Sequence, residues 1–348
     1  MQTPREPKEQ PLPCPEIVHP DRGLVRSGYT RQAVTCSDDK SDDKSDDKFS
    51  TPILSALAKR RDFLDAGVGC YRLLDGYGEG VDGVTIDRYG PGATIRYRGD
   101  WESSLPHIAK LVAENSGCSF VIARPRHLGS RPHLLWGQQP SSLIEVSENR
   151  KLSLLIDFNR SGNPGLYLDA RSVRGWLMEN SRDRRVLNLF AFTGSLGIAA
   201  ALGGARSVTH VDSVGPLLAW ARRNCELNGI KVDERDFAKL NIYQHLRKSR
   251  TQRKRYGGII ADPPPVEPGQ RGRGVMALAP TLANMLEPKG WLLCFFHHDP
   301  RSHAEIDREL CSATGLRVLW QTTSGADFAD PTPDHGGARL RVSAYTRD

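Results

Sequence analysis

What is missing from these 348 residues removes several classes of protein. No uncharged apolar run approaches the roughly 18 residues that a membrane-spanning helix needs, so no membrane partner is expected. The seven cysteines, at 14, 36, 70, 118, 225, 294 and 311, include no C-x-x-C pair, and no secretory leader precedes them. That leaves no zinc ribbon and no disulfide framework, and the thiols read as reduced in a cytoplasmic protein without a metal. Acidic residues are fewer than basic ones, 41 against 48, for a net charge of +7. Such a balance suits a polyanion but is shared by many proteins. The first fifty residues lack apolar material: Pro and charge dominate, and Ser37–Lys48 is SDDK repeated. A segment of that kind cannot bury enough surface to offset the entropy of ordering, so residues 1–50 are expected to be a disordered tail with no site.

Beyond the tail, a helix over Leu54–Asp65 leads into closely spaced strands at Cys70–Leu74, Val84–Arg88 and Ala93–Arg98, and a helix follows at Trp101–Glu114. Further strands are expected at Phe120–Ala123, His133–Trp136, Leu143–Val146 and Leu152–Phe158, which makes residues 51–158 a small α+β domain. Arg124, Arg126, His127 and Arg131 cluster after one strand; they could track a phosphate backbone or be a solvated basic loop. Residues 159–348 form the second domain, which holds the stretch that organises the chain. Val186–Phe192 is an apolar run of strand length that enters a Thr193-Gly194 turn and gives way to helix-compatible Leu196–Leu202. A second strand then closes on Asp212, where a carboxylate can accept from the two hydroxyls of a ribose. The third piece, Gly257–Ala261, breaks at Asp262-Pro263-Pro264, at a strand end that faces the same crevice in a doubly wound α/β sheet.

The absence of a full G-x-G-x-x-G decides which nucleoside this unit holds. A pyrophosphate needs that pattern, and here only Gly194 and Gly197 stand in register, with Phe192 in place of the first Gly. An NAD-dependent oxidoreductase is therefore disfavoured. S-adenosylmethionine (SAM) has no phosphate and tolerates a looser turn.

From about Gly69 onward the chain resembles the bacterial 23S ribosomal RNA cytosine-C5 methyltransferases and their SAM-dependent relatives. The resemblance is carried by TyrArgLeu at 71–73, GlyValThrIleAspArgTyrGly at 83–90, GlyLeuTyrLeuAspAlaArg at 165–171, ValLeuAsnLeuPheAlaPheThrGly at 186–194, Asp212, AsnCysGluLeuAsnGly at 224–229 and AspProPro at 262–264. It implies a class I SAM-methyltransferase sheet after the smaller α+β domain, SAM as methyl donor, and RNA as the expected partner. It also implies a cofactor site of Tyr167, Asp169, Arg171, Asn188, Phe190, Thr193, Gly194, Asp212, Asn241 and Asp262. Asp169 could instead cap the helix that starts near Ala170, leaving Arg171 exposed. Asn241 stands where the family usually has Asp, and it can still accept from an adenine amino group through its side-chain carbonyl.

The other elements expected in this domain are a helix over Pro216–Asn228, a weak strand near Val232–Phe237, helices at Val275–Leu286 and Arg301–Ala313, and strands at Gly290–His297, Leu316–Thr323 and Leu340–Thr346. Arg247–Arg255 carries six basic residues with no acid and no interleaved aromatic, so it offers charge without a stacking platform, or is a plain exposed loop.

The family's N-terminal RNA-binding module and its catalytic Cys are both missing. Cytosine C5 takes a methyl group only after a thiolate adds to C6. Where that Cys is expected the chain has Phe296-His297-His298, and Cys294, three positions before His297, points to the opposite face of the strand. Pro265 follows AspProPro in place of either a Cys or a stacking aromatic. Asp262 and His297 are left as the expected catalytic pair, His297 as a general base toward an N or O nucleophile. A methyltransferase of a small molecule or protein, and a catalytically silent SAM- or RNA-binding protein, stand as alternatives.

Overall fold

The computed structural model describes residues 47–126, 130–140, 143–251, 253–265, 274–329 and 340–347. The expected tail therefore lies outside the described residues, except that Asp47–Ser50 is already helical. The single helix read over Leu54–Asp65 is two, α1 (Asp47–Lys59) and α2 (Arg61–Asp65). They break at Arg60, where the buried guanidinium reaches back to the Ala56 carbonyl and across to Glu79 and the Asp327 carbonyl.

Strands β1 (Cys70–Asp75), β2 (Val84–Tyr89), β3 (Gly92–Tyr97), β4 (Phe120–Pro125) and β5 (His133–Trp136) form one sheet in that order. Only β3 and β4 run parallel, and α3 (Leu105–Ser116) crosses between them. Because side chains alternate along a strand, Val84, Ile86, Ala93, Ile95, Val121 and Ala123 all face α1 and α3 in one apolar cluster. Thr85, Asp87, Thr94, Arg96 and Arg124 point the other way. The hairpin β6 (Ile144–Asn149) and β7 (Leu152–Ile156) then packs Val146, Leu154 and Ile156 with Tyr89 and Phe120 of the five-stranded sheet and with Ile198 and Cys225 of the helices that follow.

The remaining strands are β8 (Arg185–Leu189), β9 (Ser207–Asp212), β10 (Phe237–Lys239), β11 (Tyr256–Ala261), β12 (Leu286–His297), β13 (Arg317–Thr323) and β14 (Leu340–Thr346). They lie in the order β10-β9-β8-β11-β12-β14-β13, with β14 antiparallel to both neighbours. The order reverses between β8 and β11, and a crevice at such a switch point, beyond the carboxyl ends of the strands, is where open α/β sheets take ligands. This is the doubly wound sheet expected from the sequence. Helices α4 (Arg171–Asn180), α5 (Ser195–Leu202), α6 (Gly215–Leu227), α7 (Ile242–Thr251), α8 (Val275–Ala283) and α9 (His303–Thr314) connect it.

Three local expectations need correcting. The strand placed near Val232–Phe237 begins only at Phe237, because Asp233 and Asp236 close a capping box around the turn Glu234–Asp236. The basic run Arg247–Arg255 is helical as far as Thr251, since Ile242 and Leu246 bury one face of α7. The helix expected to reach Leu286 stops at Ala283, and β12 starts at Leu286, where the chain pairs with Tyr256.

Candidate active site

Strand β8 runs into a turn in which Phe190, Phe192 and Gly194 all take left-handed backbone angles, with φ of 58°, 49° and 87°. For the two phenylalanines this is strain of roughly 1–3 kcal/mol each, held only where the surroundings over-determine it. The surroundings are visible. The Thr193 hydroxyl donates to the Gly165 carbonyl (2.6 Å), and the Thr193 carbonyl accepts from Asn224 Nδ2 (2.9 Å). A Cβ on Gly194 would lie 2.9 Å from that of Ala221, so α6 closes over the turn only because this residue is Gly.

At the end of β9 the two carboxylate oxygens of Asp212 accept from the backbone N–H groups of Phe192 (3.0 Å) and Val214 (2.9 Å). Each oxygen keeps a second lone pair, so the carboxylate is fixed in place and still able to accept. A cavity of about 100 Å³ opens beside it, lined by Phe190, Asp212, Ser213, Asn241, Ile242 and Tyr243. Asn241 caps α7, its Oδ1 accepting from the Tyr243 N–H (3.0 Å). An oriented carboxylate, an amide and the apolar side chains of Phe190 and Ile242 are the set that the ribose and adenine of a nucleoside require. Asn188 does not line this cavity. It is buried two residues deeper along β8, with Nδ2 3.3 Å from His210 Nδ1 and Gly197 of α5 directly above both.

A second group of polar side chains gathers where β11 and β12 end next to each other. Asp262 follows β11, His297 closes β12, and His297 Nε2 lies 2.7 Å from Asp262 Oδ1. Among the described residues the other ring nitrogen, Nδ1, has no hydrogen-bond partner. Desolvation opposes charge on this imidazole, but the hydrogen bond to Asp262 and the charges of Asp262 and Asp169 prevail and hold its pKa above the ordinary 6.5. Asp169 sits on the turn Leu168–Ala170 ahead of α4, and desolvation raises its carboxyl against the lowering effect of His297. Asp169 does not cap α4, whose N-cap Ala170 makes no side-chain bond. The ring of the exposed Tyr167 is tilted 53° to that of Phe192, centroids 5.3 Å apart, and desolvation, then the charges of Asp262 and Asp169, raise its phenol. Tyr167, Asp169, Asp262 and His297 thus share one crevice.

Arg171 is turned to a different task. Its guanidinium binds both oxygens of Asp327 (2.6 and 3.1 Å) and lies 4.7 Å from the Phe63 ring, which ties α4 to the connection after β13. Cys294 is fully buried among Leu292, Phe296 and Tyr345, and burial pushes its thiol far above the usual range. Among the described residues no group of three or more His, Cys, Asp or Glu could hold a metal.

Sequence reasoning missed the supports behind these residues. Arg174 and Glu148 form a fully buried ion pair, and Arg174 also donates to the Tyr167 carbonyl (3.0 Å). Asn224 of α6 and Asn228, one turn later at its C-cap, bond the backbone of β7 at Leu155 and Ser153. The only signal for the second support is a pair of asparagines spaced i, i+4, and Asn228 before Gly229 reads first as an ordinary helix end.

A family model described as S-adenosylmethionine-dependent methyltransferase matches residues 109–335. Among curated proteins the chain is 31% identical over 243 residues to ribosomal RNA large subunit methyltransferase I of Klebsiella pneumoniae, covering 66% of this chain and 60% of that one. The corresponding protein of Yersinia pseudotuberculosis is 30% identical over 66% of this chain and 61% of its own. The chain therefore spans about three-fifths of the length of these relatives. Among solved structures, a protein described as a SAM-dependent methyltransferase from Streptococcus mutans superposes with a TM-score of 0.79 at 22% identity, over 88% of this chain and 82% of that one. A methyltransferase complexed with SAH gives 0.78 at 21%, over 88% and 83%. These two likenesses bear on the fold alone.

Proposed function

The chain belongs to the family of S-adenosylmethionine-dependent methyltransferases, and we propose that it methylates a nitrogen or oxygen of an RNA nucleotide, with the Asp262–His297 pair taking the departing proton. The observation that carries this reading is the 2.7 Å bond between the pair at the mouth of the crevice. Asp212, with Phe190, Asn241 and Ile242 around it, would hold the nucleoside of the donor. Bound there, SAM would supply an electrophilic methyl group. Neutral His297 can accept a proton on Nδ1, and Asp262 stabilises the imidazolium that results. Pro263 and Pro264 bring no backbone donor to this loop, which leaves an accepting surface suited to an N–H or O–H group.

Carbon methylation at cytosine C5 is not favoured. It needs a thiolate at the crevice, and Cys294 lies in the core with its ionisation suppressed by burial. For RNA the support is the relatives' own substrate, ribosomal RNA, together with the net charge of +7. The test is mass spectrometry of total RNA nucleosides from cells with and without the gene. An N- or O-methylated nucleoside is expected to disappear. Loss of 5-methylcytidine instead, or no change in RNA alongside a lost protein or small-molecule methylation, would overturn the reading.

A further inference from the structure

The face of the five-stranded sheet that turns away from α1 and α3 carries a row of cations. Arg96 of β3 and Arg124 of β4 are in-register neighbours across a parallel pair, and Arg126, two positions past Arg124, follows on the same side. Like charges placed directly opposite on adjacent strands destabilise a sheet unless something compensates them. Among the described residues no carboxylate bonds any of the three. Arg124 donates to the carbonyls of Phe158 (3.0 Å), Arg160 and Gly162, and Arg126 to the Thr85 hydroxyl (3.0 Å). Of the acids whose charge reaches them, Asp87 is paired with Arg72 (2.9 Å), while Asp157 acts on the buried Arg124 without bonding it. Arg124 is buried and Arg126 exposed; desolvation by the surrounding protein first, and then neighbouring arginines, lower both to about 10.

The row also faces the chemistry. The Tyr167 hydroxyl feels the charges of Asp262 and Asp169 and, in the opposite sense, those of Arg96 and Arg160. Arg160 in turn lies 5.6 Å from the centroid of Phe192, in the turn that bounds the nucleoside cavity. The cations and the proton-accepting pair therefore both act on one exposed tyrosine.

We propose that Arg96 and Arg126, with Arg160 at the near end and the buried Arg124 adding its charge from behind, form a phosphate-binding row that takes the backbone phosphodiester next to the methyl-accepting nucleotide. A phosphodiester supplies the negative charge that the row lacks, and guanidinium forks match its oxygens. Such contacts position a strand without reading its bases, so the row sets where the acceptor lies and not which sequence is chosen.

This rests on the RNA reading, and the experiment separates the two. Arg96→Gln and Arg126→Gln are the variants, because Arg124 holds three carbonyls in place and its loss could disturb the fold. Binding of a fluorescein-labelled single-stranded 15-mer RNA is measured against salt, with nucleoside 5′-monophosphate binding as a second arm and thermal melting as the folding check. Each variant should weaken RNA binding on the order of tenfold and reduce the log–log salt slope by roughly 0.7, the share of one phosphate on a single strand. Lys254→Gln, on the connection between α7 and β11, should do neither. RNA affinity and slope unchanged in both variants, or an equal loss in Lys254→Gln, would overturn the row while leaving the RNA reading intact. Monophosphate binding that depends on Arg96 without any RNA binding would keep the phosphate row and overturn the RNA substrate. Binding of neither ligand by the wild type would overturn both.

Discussion

At the scale of single residues, the pair Asp262 and His297 makes a prediction with a defined sign. His297 accepts a proton only when neutral, and Asp262 contributes to holding its pKa above 6.5. Methyl transfer by the wild type should therefore decline as pH falls through a value above the ordinary histidine range. In Asp262→Asn the negative charge is lost and the hydrogen bond weakens, the imidazole loses its proton more readily, and the acidic limb of the pH–rate profile should move down. The plateau rate should fall roughly 10²- to 10⁴-fold, the usual worth of positioned proton transfer. SAM affinity should stay nearly constant, because Asp212 and the cavity beside it lie on the β9 side of the crevice. A pH–rate profile with its limb unmoved in the variant would remove His297 from the proton-accepting role.

At the scale of elements, two buried histidines lie on β9 and on α7, which packs beside it. His210 on β9 is stacked on Phe237, and His245 on α7 is buried with neither ring nitrogen bonded among the described residues. Desolvation lowers each to about 4, with Lys254 and Lys248 adding to the effect on His245. Between about 4 and the ordinary 6.5 the unfolded chain binds these protons and the folded chain does not, so stability rises with pH across that window and is complete above it. From pH 7 down to pH 5 each histidine should cost about 2 kcal/mol, at ~1.4 kcal/mol per pH unit. His245→Leu should remove its share of that slope and be more stable than wild type at pH 5, since it also removes two unpaired buried nitrogens. Urea midpoints at the two pH values check this; an unchanged pH dependence in the variant would contradict it. Neither histidine was legible from the sequence, because burial of a polar ring on an otherwise ordinary strand or helix leaves no pattern. The strands of both sheets were legible, since alternating apolar residues bounded by Gly and Asp turns announce themselves within a few positions. So were the Thr193-Gly194 turn and Asp212, which are local. The missed α7 and the displaced β10 belong to a stretch of mixed charge where helix and loop have similar local preferences, and packing of Ile242 and Leu246 on the sheet decides between them.

At the scale of the whole molecule, the arginine row and the Asp262–His297 pair come from two different sheets, and a single buried carboxylate joins the parts. Asp327, from the connection between β13 and β14, accepts from Arg171 through both oxygens, and from the backbone N–H of Arg72 on β1 (2.9 Å). Its carbonyl accepts from Arg60 (2.8 Å), and the next residue, Phe328, lies beneath the Arg72 guanidinium, 4.2 Å away. α4, the five-stranded sheet and the far edge of the seven-stranded sheet therefore meet at one side chain that is fully buried. A lone Asp in a Gly/Pro-rich connection gives no hint of this, because its partners lie more than 150 positions away. Removing the carboxylate leaves the Arg171 guanidinium short of its counterion in a mostly buried site, which typically costs about 3–5 kcal/mol. Asp327→Ala should be destabilised by that order, and the double variant Asp327→Ala with Arg171→Met should recover part of the loss, because the unpaired charge goes with it. Denaturant unfolding of the two variants and of Arg171→Met alone measures the coupling, and a cycle in which the two changes simply add would show that the pair does not hold the sheets together. In the surviving folded fraction of Asp327→Ala, SAM affinity should change little, since Asp212, Phe190 and Asn241 come from one sheet alone. The Michaelis constant for the acceptor should rise instead, since the arginine row and the Asp262–His297 pair belong to different sheets and reach one substrate only while those sheets hold their relative position.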